Sequence, residues 1–155
     1  MMKQSEIRKF REDLRRFERL VASQLKGSSC CSGVTLAQCH VLLEIEVRDK
    51  PSLGELAQAL GLDKSTLSRT VDGVVNIGLV ERVFDPKDRR SVQLFLTSQG
   101  KSTCKRINEG NDGLFNRVFE RIAPDRRQAV LAGFHELVVA MDAEMDGGGS
   151  VCETA

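Results

Sequence analysis

The fold class this sequence predicts is mainly α-helical with one small β-hairpin, and three observations predict it. Apolar residues recur at helical period in segment after segment. Capping residues mark several helix starts. A single pair of short β-rich runs, Leu79 to Phe84 and Val92 to Leu96, flanks a charged turn.

The stretch from Ser52 to Thr97 organises the rest. Ser52 and Glu55 form an S-x-x-E capping box, in which each side chain satisfies an orphan N–H at a helix start. Leu53, Leu56, Ala57 and Leu60 then follow at helical spacing, and Gly61 stands where a helix ends in a left-handed residue. Asp63 is a good N-cap for a second helix reaching about Asn76, which buries Leu67, Val71, Val74 and Val75 and is closed by Gly78. Two helices joined by a short turn containing glycine describe a helix-turn-helix.

The opposite face of that second helix carries Lys64, Ser65, Thr66, Ser68 and Arg69, crowded into its first turns. In a helix-turn-helix these positions reach base edges in the major groove, where arginine pairs bidentately with guanine and hydroxyls are less selective. A polar helix side is otherwise simply a solvated face, and the hairpin decides between the two. Its turn, residues 85–91, contains Lys87, Arg89 and Arg90, and a cationic ribbon tip beside a reading helix suits phosphates or a minor groove. Asp88 serves to orient a neighbouring arginine.

The stretch LGLDKSTLSRTVDGVVNIGLVER, followed by DPKDRRSVQLFLTSQG, resembles the winged-helix core of the MarR family of bacterial transcriptional regulators. Asp88, Arg90, Leu96, Thr97 and Gly100 match the family's wing signature, with helix, wing and next helix start all in register. A weaker likeness in helical layout runs from about residue 5 to 145. The resemblance implies a winged helix-turn-helix core flanked by N- and C-terminal dimerisation helices. It also implies a homodimeric DNA-binding regulator, a repressor by family analogy, relieved by a small molecule, metal or oxidant; a cytoplasmic location is expected from the lack of a membrane span or signal peptide.

Charge refines the expectation. The formal net charge is only +1, and residues 52–97 balance six Lys/Arg against six Asp/Glu. Residues 1–26 carry eight against four, and 98–155 seven against nine. DNA affinity therefore has to come from local segregation on the reading helix and wing, not from a basic domain. No apolar run approaches the ~20 residues of a membrane span, and the charged start lacks a signal peptide's apolar core.

The flanks follow in order. Ile7, Phe10, Leu14, Phe17 and Val21 form a near-heptad seam on a helix spanning 5–26, fit to pack on the chain's own core or on a partner subunit. Thr35 and Gln38 make a second capping box, opening a helix whose apolar side is Leu36, Cys39, Leu42 or Leu43, and Val47. Thr97 caps a long helix striped by Cys104, Ile107, Leu114, Phe115, Val118, Phe119 and Ile122. Pro124 suits the first turn of a last helix, striped by Val130, Leu131, Phe134, Leu137, Val138 and Met141. So many apolar stripes at the chain's two ends call for a partner copy. A two-fold axis would then place two reading helices about one DNA turn apart, on a pseudo-palindromic operator with half-sites ~10 base pairs apart. The expected division is 1–34 (N-terminal helix and cysteine loop), 35–97 (winged helix-turn-helix), 98–146 (dimerisation helices) and 147–155 (flexible tail).

Five cysteines remain. No CxxC pairing exists, so a structural zinc finger is not expected and no cofactor is required. Cys39 and Cys104 fall on apolar helix faces, where cysteine acts as a small hydrophobe. Cys152 lies in the tail, and His135 beside the last helix's stripe has a structural role. Cys30 and Cys31 occupy a polar loop just ahead of a helix N-terminus, a setting that favours thiolate. Three readings stay open for them: a soft metal or metalloid held with Cys39 and His40, oxidation by peroxide, or no role. A small aromatic or anionic effector in the pocket between winged and helical regions is the alternative trigger. No nucleotide loop, acid–base pair or Ser-His-Asp set appears, so catalysis is not expected. A winged helix that binds protein instead of DNA is the third class of function.

Overall fold

The computed structural model describes residues 1–27, 33–84 and 92–147. It falls into two compact units, Met1–Asn111 and Asp112–Ala155.

In the first unit, α1 (Gln4–Gly27) is followed by α2 (Leu36–Arg48), α3 (Leu53–Leu60) and α4 (Lys64–Asn76). An antiparallel hairpin, β1 (Val80–Phe84) with β2 (Val92–Leu96), leads into α5 (Ser98–Glu120), whose residues after Asn111 belong to the second unit. Val80 pairs with Leu96 and Phe84 with Val92. Both capping boxes are made as the sequence predicts. Thr35 and Ser52 each accept from the backbone N–H three residues on, while Gln38 and Glu55 accept from the cap N–H in return. Gly61 ends α3 in the left-handed region at φ 60°, which costs glycine nothing sterically.

One cluster ties the unit together: Leu42 and Ile45 of α2, Leu56 and Ala57 of α3, Leu67, Val71 and Val74 of α4, Leu79, Val80 and Leu94 from the hairpin, and Cys104 of α5. Burying a side chain of this size stabilises by roughly 1.5–3 kcal/mol, so α4 is held by its whole inner face. A smaller cluster joins Cys39 to Ile107.

The stripe expected on α2 is corrected here. Val47 is 79% exposed and Leu36 is exposed too, while Val41, Leu42 and Ile45 join Cys39 in the interior. Apolar residues occupy so many α2 positions that period alone does not choose the buried arc. The neighbouring helices α3, α4 and α5 choose it. α2 then ends at Asp49 (φ 48°) and Lys50 (φ 64°), two non-glycine residues in a region that costs energy to occupy. The reversal hands the chain to Pro51, whose carbonyl accepts from Leu94 N–H, and places Lys50 Nζ 5.5 Å over the Phe95 ring.

On α1, the seam residues Ile7, Phe10 and Phe17 are exposed, and Leu14 and Val21 are half-buried. In the second unit a short 3-10 turn, Pro124–Arg126, precedes α6 (Arg127–Gly147). Arg127 closes the turn, its Nε donating to Ile122 carbonyl at 3.0 Å. Val130, Leu131, Phe134, Val138 and Met141 are all exposed on α6.

Candidate nucleic-acid interface

The start of α4 is set by Asp63. One carboxylate oxygen, Oδ1, accepts from Ser65 N–H at 3.0 Å, Thr66 N–H at 2.9 Å and Ser65 Oγ–H at 2.6 Å. The Ser65 and Thr66 donors hold the carboxyl far below the usual carboxylate range, so the cap is anionic at any physiological pH and complements the positive end of the helix. Ser65 therefore spends its hydroxyl proton on the cap and meets a ligand only as an acceptor.

Lys64, Thr66 and Arg69 are exposed beside it, and Ser68 is half-buried. Arg69 Nε lies 3.4 Å from Ser65 carbonyl, which lays the guanidinium back along the first turns. Thr70 donates to Thr66 carbonyl and so turns its hydroxyl inward to the helix. Of the five sequence-predicted positions, Lys64, Ser65, Thr66 and Arg69 are thus exposed and Ser68 is half-buried, while Leu67, Val71 and Val74 are fully buried. The wing cations Lys87, Arg89 and Arg90 lie in 85–91, outside the described residues.

The wing is joined to the reading helix by contacts the sequence did not announce. Thr97 Oγ–H donates to Gly78 carbonyl at 2.7 Å, and the same oxygen accepts from Gly100 N–H at 3.0 Å. Thr97 N–H donates to Leu79 carbonyl. One threonine therefore caps α5 and ties it to the exit of α4. Gly100 is needed because a Cβ there would stand 2.1 Å from Leu79 carbonyl oxygen. This gives the Leu-Thr-x-x-Gly run its physical meaning. Arg82 of β1 also reaches back, its terminal nitrogen 2.7 Å from Asp72 Oδ1 on α4. Arginine in a strand and aspartate in a helix ten residues earlier leave no periodic trace, so only the fold reveals the pair.

The cysteine candidates separate. Cys30 and Cys31 lie outside the described residues. Cys39 is buried in the small apolar cluster, whereas His40 on the next position is exposed. Among the described residues no group of three metal-ligating side chains forms. Cys104 donates to Leu42 carbonyl, and burial, with Glu46 nearby, pushes its thiol up to about 11. Such a thiol is protonated and inert at neutral pH. A cavity of about 300 Å³ opens between the end of α2, β2 and the start of α5. It is lined by the apolar Ile45, Leu94, Phe95 and Leu96 and by two acidic and two basic side chains, Glu46, Asp49, Lys50 and Lys101.

Comparison with known proteins agrees with this geometry. The MarR family model matches residues 32–91, from the α2 approach to the wing. The multiple antibiotic resistance protein MarR of Escherichia coli is 34% identical over 76 residues, 49% of this chain and 53% of that one. The chain thus spans about half the length of that relative. FabT of Streptococcus pneumoniae, solved in complex with DNA, superposes with a TM-score of 0.74 at 15% identity, covering 91% of this chain and 99% of that one. BpsR of Bordetella bronchiseptica, whose DNA binding is regulated by 6-hydroxynicotinic acid, gives 0.69 at 24% identity, covering 84% and 98%. Helix-turn-helix and hairpin agree with these likenesses: residues 32–91 match the MarR family model, and the chain is similar in sequence and fold to winged-helix transcriptional regulators of that family.

Proposed function

We propose that this chain is a homodimeric, sequence-specific DNA-binding repressor whose α4 enters the major groove while the 85–91 turn engages the backbone or minor groove beside it. The observation that carries the reading is the sidedness of α4. Its inner face is fully buried, and its first turns hold Lys64, Ser65, Thr66 and Arg69 outward on a rigid, capped scaffold. FabT, of the same fold, is seen with DNA. The exposed apolar faces of α1 and α6 support the dimer, because surface of that kind marks an interaction site. A two-fold pair would read a pseudo-palindromic operator.

The effector has two readings. The first is a soft metal, metalloid or oxidant acting at Cys30 and Cys31, supported by their place in a Gly/Ser-rich stretch of sequence ahead of α2. Buried Cys39 and exposed His40 do not supply it with further ligands on one surface. The second is a small aromatic or anionic ligand. The cavity lined by Ile45, Leu94, Leu96 and Phe95, with Lys50 and Lys101 beside Glu46 and Asp49, supports it, as does BpsR's control by 6-hydroxynicotinic acid.

Fluorescence anisotropy of the reduced protein on the duplex upstream of its own coding sequence tests both. Release by arsenite, copper or peroxide that vanishes in the Cys30→Ser, Cys31→Ser protein makes the loop thiols the sensor. Release by an aromatic carboxylate that survives those changes and is lost in Lys50→Ala, Lys101→Ala moves it to the cavity. A protein that prefers no duplex at all returns the winged helix to a protein-binding role.

A further inference from the structure

An apolar core holds α4 without fixing its angle, because hydrophobic contact is non-directional. Two more specific features act at adjacent positions in the middle of the helix, an ion pair and a close steric approach. At Asp72 the partner is Arg82, 2.7 Å away on β1, in a strand position facing Leu94 across the hairpin. At Gly73 the partner is α2. A Cβ placed there would stand 2.7 Å from the side-chain nitrogen of Gln38.

That amide is not a loose end. Its oxygen accepts from Thr35 N–H at 2.9 Å as half of the α2 capping box, so its nitrogen is aimed by the cap. Successive helix positions diverge by about 100°. The ion pair and the amide seat therefore meet α4 from different sides, one from the wing and one from α2.

We infer that Arg82 and Gln38 are positioning residues of the recognition helix, setting the angle of α4 to the wing through Asp72 and to α2 through Gly73. The inference rests on the DNA reading above. It gives the Thr35–Gln38 box a second task beyond starting a helix. It also makes the half-buried Gly73 a requirement of the reading head.

The test uses an operator selected by the unaltered protein from a random duplex library, with a scrambled duplex as reference. Asp72→Asn and Arg82→Gln each lower discrimination between the two duplexes by about tenfold, the scale of one base contact. The charge-swapped protein, Asp72→Arg with Arg82→Asp, returns to within about threefold of the original, a difference of under one kcal/mol. Gly73→Ala lowers discrimination in the original background and has no further effect once Gln38→Ala has removed the amide. Circular dichroism confirms that each variant keeps its helix content. Single variants that discriminate like the original, with folding intact, overturn the inference. So does a swap that fails to restore, which would make Arg82 a direct DNA contact, or a Gly73→Ala effect unchanged by Gln38→Ala. If the original protein itself selects no operator, the DNA reading has failed and takes this inference with it.

Discussion

Gly100 shows how much of the site's architecture rests on a single missing methyl. The first turn of α5 approaches the β1 entry so closely that a Cβ would lie 2.1 Å from Leu79 carbonyl oxygen and 3.3 Å from a Leu96 methyl. Backbone cannot swing aside as a side chain does. Overpacking of this kind costs typically 1–3 kcal/mol, and Gly100→Ala is expected at about 3 kcal/mol, because the helix start must move off the strand. Urea unfolding measures it, and a midpoint equal to the original's would mean that α5 has room the geometry denies. Asp63 is the complementary case, where a side chain is kept for its charge. Its carboxylate accepts three donors at once, which keeps it ionised and leaves the Ser65 hydroxyl only its acceptor capacity for a ligand.

In the proposed function, helix α4 and the hairpin divide the labour of DNA binding between them. Side chains reaching base edges discriminate, while cations on phosphates bind without reading. Arg69 lies on the outer face within reach of the first turns, so Arg69→Ala is expected to lose ~1–3 kcal/mol of discrimination between operator and mismatched duplex. Replacing Lys87, Arg89 or Arg90 by alanine is expected instead to weaken binding to all duplexes and to flatten the salt dependence by about one unit of slope per cation. Anisotropy titrations over a salt series separate the two. Equal loss on operator and random duplex for Arg69→Ala would place that arginine on the backbone. The hairpin contributes Val80 and Leu94 to the buried core, with Leu96 packed against it, while Val83 and Phe84 farther out are exposed.

At the scale of the whole molecule the decisive property is apolar surface that one chain leaves exposed. On α6, Phe134 is 53% exposed, with Leu131 and Val138 on the same helix similarly open, and α1 exposes Ile7 and Phe10. A second copy is the occupant proposed for both faces. Sedimentation equilibrium of the intact protein is expected at twice the chain mass, and Leu131→Asp with Phe134→Asp at the mass of one chain. Operator affinity should fall with the dimer, since two linked reading heads gain from effective concentration. A single-chain mass for the unaltered protein at micromolar concentration would leave these faces without their proposed partner. Two heads joined this way are expected to read half-sites about 10 base pairs apart.

What the sequence determined by itself is local. Ser52, Glu55, Gly61 and Asp63 spelled the helix-turn-helix because caps and left-handed turns are decided by residues three or four apart. The polar face of α4 and the two strands were legible for the same reason, as was the role of Thr97 as a cap. Tertiary structure decided what depends on neighbours distant in the chain. It chose the buried arc of α2 over the stripe through Val47, and it showed why Gly100 admits no side chain. It drew Arg82 to Asp72 and the Gln38 amide to Gly73, and it buried Cys39 away from His40. Period and capping are written in consecutive residues, but the angle at which a helix meets its neighbours is a property of surfaces that exist only once the chain has folded.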